Sequence, residues 1–243
     1  MKNRLKLYFF GVGLGIKSII KLKKINPRIL EMIIVPMNYW RAIETPSILN
    51  SIKPKKNDLI LDIGSPKLLS LYLAKKTCAR IIASDSDPYF MRYCTEFSKS
   101  LNCGRKYSVK VADARKTNLK ENSIDKAYAL SVFEHIPRDG DIKAAREVKR
   151  ILKKGGLFSL TLPYSERFNV EYRDPNDFYY SSNYSLKKNK RVFYQRQYDE
   201  KSLYNRIIKS SGMELVKKEY VGQRIRIFLT KFSYFLGPLN ILF

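Results

Sequence analysis

Residues Asp58 to Ala74 read DLILDIGSPKLLSLYLA, and this stretch decides the fold. Leu59 to Ile63 is a short apolar run, the composition of a buried parallel strand. Gly64-Ser65-Pro66 follows as a tight turn, since glycine reaches φ values other residues avoid and proline cannot continue a strand. Leu68, Leu69, Leu71, Tyr72 and Leu73 then give a helix with a broad apolar face. Strand, glycine turn and helix form the opening unit of a doubly wound α/β fold, whose ligands bind in the crevice above that turn.

Working outward, the alternation continues. Ala79 to Ser84 is a second apolar strand, closing on Asp85-Ser86-Asp87-Pro88. A helix starting with proline is expected over Pro88 to Leu101. Tyr107 to Val111 reads as a third strand ending at Asp113, Ile124 to Val132 as a fourth and Leu157 to Leu162 as a fifth. Between the last two, Ala144, Val148, Ile151 and Leu152 fall at helical spacing, and Lys153-Lys154-Gly155-Gly156 reads as the helix stop. Asp199 is placed to cap a helix to about Ser211, with Gly212 ending it. Met213–Tyr220 and Ile225–Phe228 are the remaining strand candidates. The pattern predicts a mainly parallel, seven-stranded, doubly wound sheet. Residues 54–243 are the expected main domain. Residues 1–53 form a basic, apolar extension with a partial helix over Pro36 to Lys53, interrupted at Pro46. Residues 164–198 are expected to act as a substrate lid, and 230–243 form an apolar tail.

The chain carries 47 Lys and Arg against 22 Asp and Glu, a net charge of +25. Residues 1–56 hold 12 basic residues and 2 acids, 187–243 hold 13 and 4, and the middle holds 22 and 16. The excess therefore lies in the flanks. It reads either as a lysine-rich composition or as attraction to an anionic partner such as a lipid surface, a phosphorylated substrate or RNA. Three cysteines without CxxC spacing and one histidine argue against a zinc site or a disulfide framework, and fit a reducing cytosol. At the N-terminus a basic start precedes the apolar run Leu7 to Ile16, as in a signal peptide. That run is too short to span a bilayer, and Lys17, Lys21, Lys23 and Lys24 follow instead of a small-residue cleavage site. It reads as a packing or membrane-interface segment. With the apolar stretch Phe232–Phe243 it forms a pair of ends suited either to interfacial anchoring or to packing on each other or across a dimer.

Four segments together resemble the class I S-adenosylmethionine-dependent methyltransferases: Leu59–Ala74, Ile81–Asp87, Val111–Ala114 with Asn122–Ile136, and Glu147–Pro163. The resemblance implies a Rossmann-like fold, a cytoplasmic enzyme with S-adenosylmethionine as cofactor, and no metal. Asp62, Gly64, Ser65 and Pro66 would then form the loop around the methionine part. Asp85 and Ser86 would meet the ribose, because a carboxylate accepts two hydrogen bonds at once. Asp113 and Ala114 would meet the adenine, with Ser131 and Val132 lining the pocket floor. His135 is the candidate general base, with bonding of the adjacent loop as its structural alternative. Asp62 and Asp113 likewise have readings as turn or cap residues, and one of Asp85 and Asp87, which precede a helix starting with proline, reads as only its N-cap. The loop departs from the family's Gly-x-Gly-x-Gly, reading Gly64-Ser65-Pro66-Lys67-Leu68. Without the free N–H groups a pyrophosphate needs, this argues against a dinucleotide.

The acceptor implied is a small molecule, lipid or saccharide, with the protein docked on an anionic membrane as an extension of that reading. The aromatics Phe168, Tyr172, Phe178, Tyr179, Tyr180 and Tyr184 would stack on a ring, or cover the sheet edge. Arg167, Arg173 and Arg196 would meet a phosphate or carboxylate. The alternatives are a non-catalytic scaffold on a degenerate methyltransferase fold and, favoured by the charge, an RNA methyltransferase.

Overall fold

The structure is a computed structural model that describes residues 2–64, 68–174, 187–188 and 191–221. The N-terminal segment carries three helices. Helix α1 spans Lys2–Leu22, α2 Pro27–Ile34 and α3 Tyr39–Ile52. Asparagines start the latter two: the Asn26 and Asn38 side chains accept from the Ile29 and Arg41 amides, each at 2.9 Å, satisfying N–H groups that a helix start leaves open. Gly15 lies against Ile29 and Ile33, and Gly11 against Pro36, so α1 and α2 form an antiparallel hairpin at close range.

Pro46 was expected to interrupt α3, and it does not: the helix runs through it. Proline at 46 removes the donor that would reach the Ala42 carbonyl. The Arg4 guanidinium fills that place, its Nε donating to Ala42 O at 2.9 Å. The break is thus repaired from α1.

The central sheet is parallel and ordered β3-β2-β1-β4-β5. Strand β1 is Leu59–Ile63, β2 Arg80–Asp85, β3 Tyr107–Val111, β4 Ile124–Leu130 and β5 Leu152–Thr161. Helix α4 (Leu68–Lys76) joins β1 to β2, α5 (Pro88–Leu101) joins β2 to β3, and α6 (Gly140–Ile151) joins β4 to β5. Side chains alternate across β1. Ile60 enters an apolar layer with Leu7 and Leu14 of α1, Ile48 and Ile52 of α3, Leu69 and Leu71 of α4, and Phe97 of α5. Leu61 and Ile63 enter the opposite layer with Ala144, Val148 and Ile151 of α6. The N-terminal helices therefore share one core with the sheet. Leu68, the bulky departure from the family loop, sits under α1 near Gly11.

Three strand expectations change. Lys153-Lys154-Gly155-Gly156 is not a helix stop but lies within β5, where the pairing jumps from Ile124↔Leu152 to Lys126↔Leu157. Gly155 takes φ +74° there. Met213–Tyr220 forms no strand, and Ile225–Phe228 lies outside the described residues. Five of the seven expected strands therefore form the parallel sheet. Third, Tyr164 to Tyr198 contains an antiparallel sheet ordered β6-β8-β7, with β6 at Asn169–Arg173, β7 at Lys187–Lys188 and β8 at Arg191–Gln197. The apolar tail 230–243 and Phe178, Tyr179, Tyr180 and Tyr184 lie outside the described residues. A short helix α7 (Glu200–Leu203) starts at an Asp199–Ser202 capping box and continues into a π-helical turn, Tyr204–Lys209, before Gly212 at φ +66°.

Candidate active site

The chain runs from β1 outward through β2 to β3, then returns to the other side of β1 with β4 and β5. The sheet's switch point therefore lies between β1 and β4, where open α/β sheets build their ligand crevice beyond the carboxyl ends. Gly64 stands at that point. Its amide donates to Ser84 O at 2.8 Å, and its φ is +66°. A Cβ placed on it would lie 2.5 Å from Val132 Cγ2, so glycine is required on two counts. The structure thus brings Gly64 and Val132 together across the switch point. Ser65 and Pro66 lie outside the described residues.

The acids divide in role. Asp62 falls on the same side of β1 as Ile60 and is fully buried beside Tyr128, its register partner on β4. Burial and the Asp62 carboxyl push the Tyr128 hydroxyl pKa up. Asp85 ends β2, and its Oδ1 accepts the Asp87 amide at 2.9 Å. Asp87 is the N-cap of α5, accepting from Tyr89 N at 2.8 Å. The capping task falls to Asp87, and Asp85, with Ser86 next to it, stands at the strand end. Asp113 is engaged in place: the Arg115 amide donates to its Oδ1 at 2.8 Å, Arg115 Nε to both oxygens at 3.0 Å and Nη2 to Oδ2 at 2.6 Å. Ala114 packs against the α6 layer.

The end of β4 holds a polar cluster that residue spacing did not reveal. Ser131, at φ +51°, takes its amide to Thr161 Oγ1 at 3.0 Å and its hydroxyl to Glu44 Oε1. Thr161 donates to the same Glu44 oxygen at 3.0 Å. Arg41 donates to the other Glu44 oxygen at 2.6 Å and to Leu130 O at 3.0 Å. Helix α3 therefore clamps the carboxyl ends of β4 and β5. The only local trace of this was an Arg41–Glu44 pair one turn apart, since the strand partners lie about ninety residues or more away along the chain.

Glu134, in the 3-10 turn Phe133–His135, is 1% exposed. Burial pushes its pKa up to about 8, with the Glu44 carboxylate adding to the rise and Arg41 and Ser131 opposing it. Its Oε2 has no hydrogen-bond partner among the described residues. It therefore holds its proton at neutral pH. His135 is shifted down, chiefly by burial, with Arg41 and Arg173 adding to the fall and the Tyr194 carbonyl opposing it. Its Nδ1 lies 2.8 Å from Tyr194 O. A carbonyl can only accept, so Nδ1 carries the proton and Nε2 presents a lone pair, 3.8 Å from Glu134 Oε1. His135 is thus a neutral imidazole of fixed tautomer at the crevice edge.

The second sheet is bolted to this turn. Arg196, 3% exposed, donates to Ile136 O at 2.6 Å and to Arg138 O. Its guanidinium is consumed by backbone carbonyls, which corrects the expectation that it meets a substrate anion. Arg173 stacks 3.5 Å from the Tyr194 ring centre and pairs with Glu171. Tyr198 donates to Asp141 Oδ2 at 2.9 Å, and Arg206 holds both oxygens of Asp141 at 2.8 Å.

Residues 61–160 match the sequence model of the methyltransferase domain family. Over 128 residues the chain is 27% identical to the sterol 24-C-methyltransferase ERG6 of Saccharomyces cerevisiae and 29% identical to the sterol 24-C-methyltransferase of Kluyveromyces lactis. Each match takes in 49% of this chain, and 32% and 33% of those proteins, so the chain spans about a third of the length of the curated relatives it matches. Among solved structures, the [4+2]-cyclase SpnF superposes with a TM-score of 0.51 at 15% identity, covering 68% of this chain and 54% of that one, which is a likeness of fold.

Proposed function

We propose that this chain, which belongs to the class I S-adenosylmethionine-dependent methyltransferase family through residues 61–160, transfers a methyl group from that cofactor to a small, lipid-like acceptor. The observation that carries the reading is the Gly64–Val132 contact at the switch point. There the Val132 side chain occupies the space that a Cβ on residue 64 would need, so only glycine lets the turn come this close to the end of β4. Asp85 at the neighbouring strand end supplies the acceptor oxygens that a ribose needs.

When bound, the cofactor supplies a methyl group on a sulfonium. The residues assigned to hold it are Gly64, Ser65 and Pro66, with Asp62 buried behind them at the end of β1, Asp85 and Ser86 at the end of β2, Asp113 and Ala114 after β3, and Ser131 and Val132 after β4. Alignment of the acceptor accounts for much of the work in such a transfer. The Arg41–Glu44 clamp and the Arg196 bonds fix the walls that would align it. His135 is the residue assigned to take a proton from an acceptor. The neighbouring Glu134 carboxyl, itself protonated, does not compete for that proton at neutral pH. The likeness to sterol methyltransferases supports an apolar acceptor over a nucleic acid.

Calorimetry with S-adenosylmethionine tests the reading. Binding is expected, weakened about tenfold or more by Asp85→Ala, in line with the loss of a charge-assisted hydrogen bond. Incubation with methyl-labelled cofactor should label the lipid fraction of a cell extract. Absence of cofactor binding would refute the assignment, and label in the RNA fraction would redirect it.

A further inference from the structure

The outer face of α1 is unlike the rest of the surface. Phe9, Gly13, Ile16 and Ile20 recur at helical spacing and fall on one line along the helix. Phe9 is 66% exposed, Ile16 48% and Ile20 67%, and nothing lies within 4 Å of where a Gly13 Cβ would stand. Ile25, 65% exposed, continues the line past the helix end. The opposite face of the helix is fixed: Leu7 and Leu14 are buried in the core, and Gly11 and Gly15 sit against α2 and the segment after it. The helix cannot roll to hide its outer line without losing that packing.

Charge borders this line. Residues 1–34 carry eight basic residues and one acid. Lys2, Lys6, Lys17, Lys21 and Lys23 are exposed, and none makes an ion pair among the described residues. Lys6, Lys17 and Lys21 project to one side of the apolar line by the helical wheel. No helix among the described residues is long and apolar enough to cross a membrane. With its inner face buried in protein, α1 would have to lie along a membrane surface.

We propose that this face of α1 docks the protein on an anionic lipid bilayer, with Phe9, Ile16 and Ile20 entering the headgroup region and the lysines meeting lipid phosphates. A second copy of the chain is the weaker occupant. Two such faces brought together would set lysine against lysine, which a symmetric interface penalises. The proposal goes beyond the methyl-transfer reading and does not depend on it.

Sedimentation of the full chain with vesicles tests it. The protein should pellet with phosphatidylcholine–phosphatidylglycerol vesicles and remain in solution with phosphatidylcholine alone. The triple variant Phe9→Ser/Ile16→Ser/Ile20→Ser, and separately Lys6→Gln/Lys17→Gln/Lys21→Gln, should each weaken binding about tenfold or more. Both variants should keep the wild-type circular dichroism and cofactor affinity, since these side chains point away from the core. Phe232→Ser/Phe235→Ser in the C-terminal stretch should leave binding unchanged. The proposal is overturned if wild-type protein stays in solution, if both α1 variants pellet as it does, or if only the C-terminal variant loses binding. Light scattering that shows a dimer broken by the α1 variants, with vesicle binding unchanged, would assign the face to a second copy instead.

Discussion

Replacing Glu134 by Gln keeps the shape of a buried side chain and removes its titration. The carboxyl has an ordinary value of 4.5 and is pushed up to about 8 in the folded protein. Between those two values the folded chain holds a proton that the unfolded chain has released. Raising the pH through this window therefore costs stability, and the contribution is fully present only below pH 4.5. A shift of this size corresponds to about 5 kcal/mol if all of it is expressed, at about 1.4 kcal/mol per pH unit. Relaxation and water entry around the ionised form would reduce that to about 2–4 kcal/mol. Glutamine has no such proton. Urea unfolding of both proteins at intervals from pH 5 to pH 9 should show the variant gaining on wild type up to about pH 8 and levelling off above it. For a chain of this length the same gain is about 4–16 °C in Tm. His135 contributes the opposite slope below its ordinary value of 6.5, because burial lowers it. That contribution is common to both proteins and cancels in their difference. A difference that stays flat within about 0.5 kcal/mol from pH 5 to pH 9 would refute the reasoning, because that spread is what an ordinary surface change produces. It would mean that Glu134 titrates like an exposed acid, and that the group beside His135 Nε2 is charged at neutral pH.

Three further outcomes follow from named contacts. Gly64→Ala meets both the positive φ and the Val132 methyl group, and should cost about 1–4 kcal/mol in chemical denaturation; adding Val132→Ala should recover only the steric part. Arg4→Met should cost about 1–2 kcal/mol by stranding the Ala42 carbonyl. In a Pro46→Ala background, which restores the helix's own donor, thermal melts should show that cost largely gone. Asp141→Ala should lower stability by about 3–5 kcal/mol, because Arg206 and Tyr198 lose a fully buried partner, whereas Tyr198→Phe should cost about 1–2 kcal/mol in the same unfolding assay.

Much of the fold was legible because it rests on local rules. The apolar runs at Leu59–Ile63 and Ala79–Ser84, the glycine after the first and the proline opening α5 each name their element from neighbouring residues alone. Helix capping by Asp199 was readable for the same reason, whereas local rules left the cap of α5 open between Asp85 and Asp87. The antiparallel sheet over residues 169–197 was not, because Tyr, Arg and Asn crowd both of its faces and leave no clean period of two. The bulge in β5 was read as a helix stop, since Lys-Lys-Gly-Gly carries the same local signal in either setting. Pro46 misled for a complementary reason: its rule is local, but the repair comes from Arg4, 42 positions upstream.

The sequence by itself determined the parallel α/β order, the position of the crevice beyond β1, and the strand-end acids from which a cofactor site can be built. Those follow from hydrophobic period and turn chemistry, which act within a few residues. Only the tertiary structure decided which groups meet there. It set Val132 against Gly64, brought Glu44 from the N-terminal helices onto Ser131 and Thr161, gave Arg196 to backbone carbonyls, and closed Glu134 away from water. Each of these joins residues far apart in the chain, and a buried polar group takes its partners and its proton from whatever the folded core places beside it.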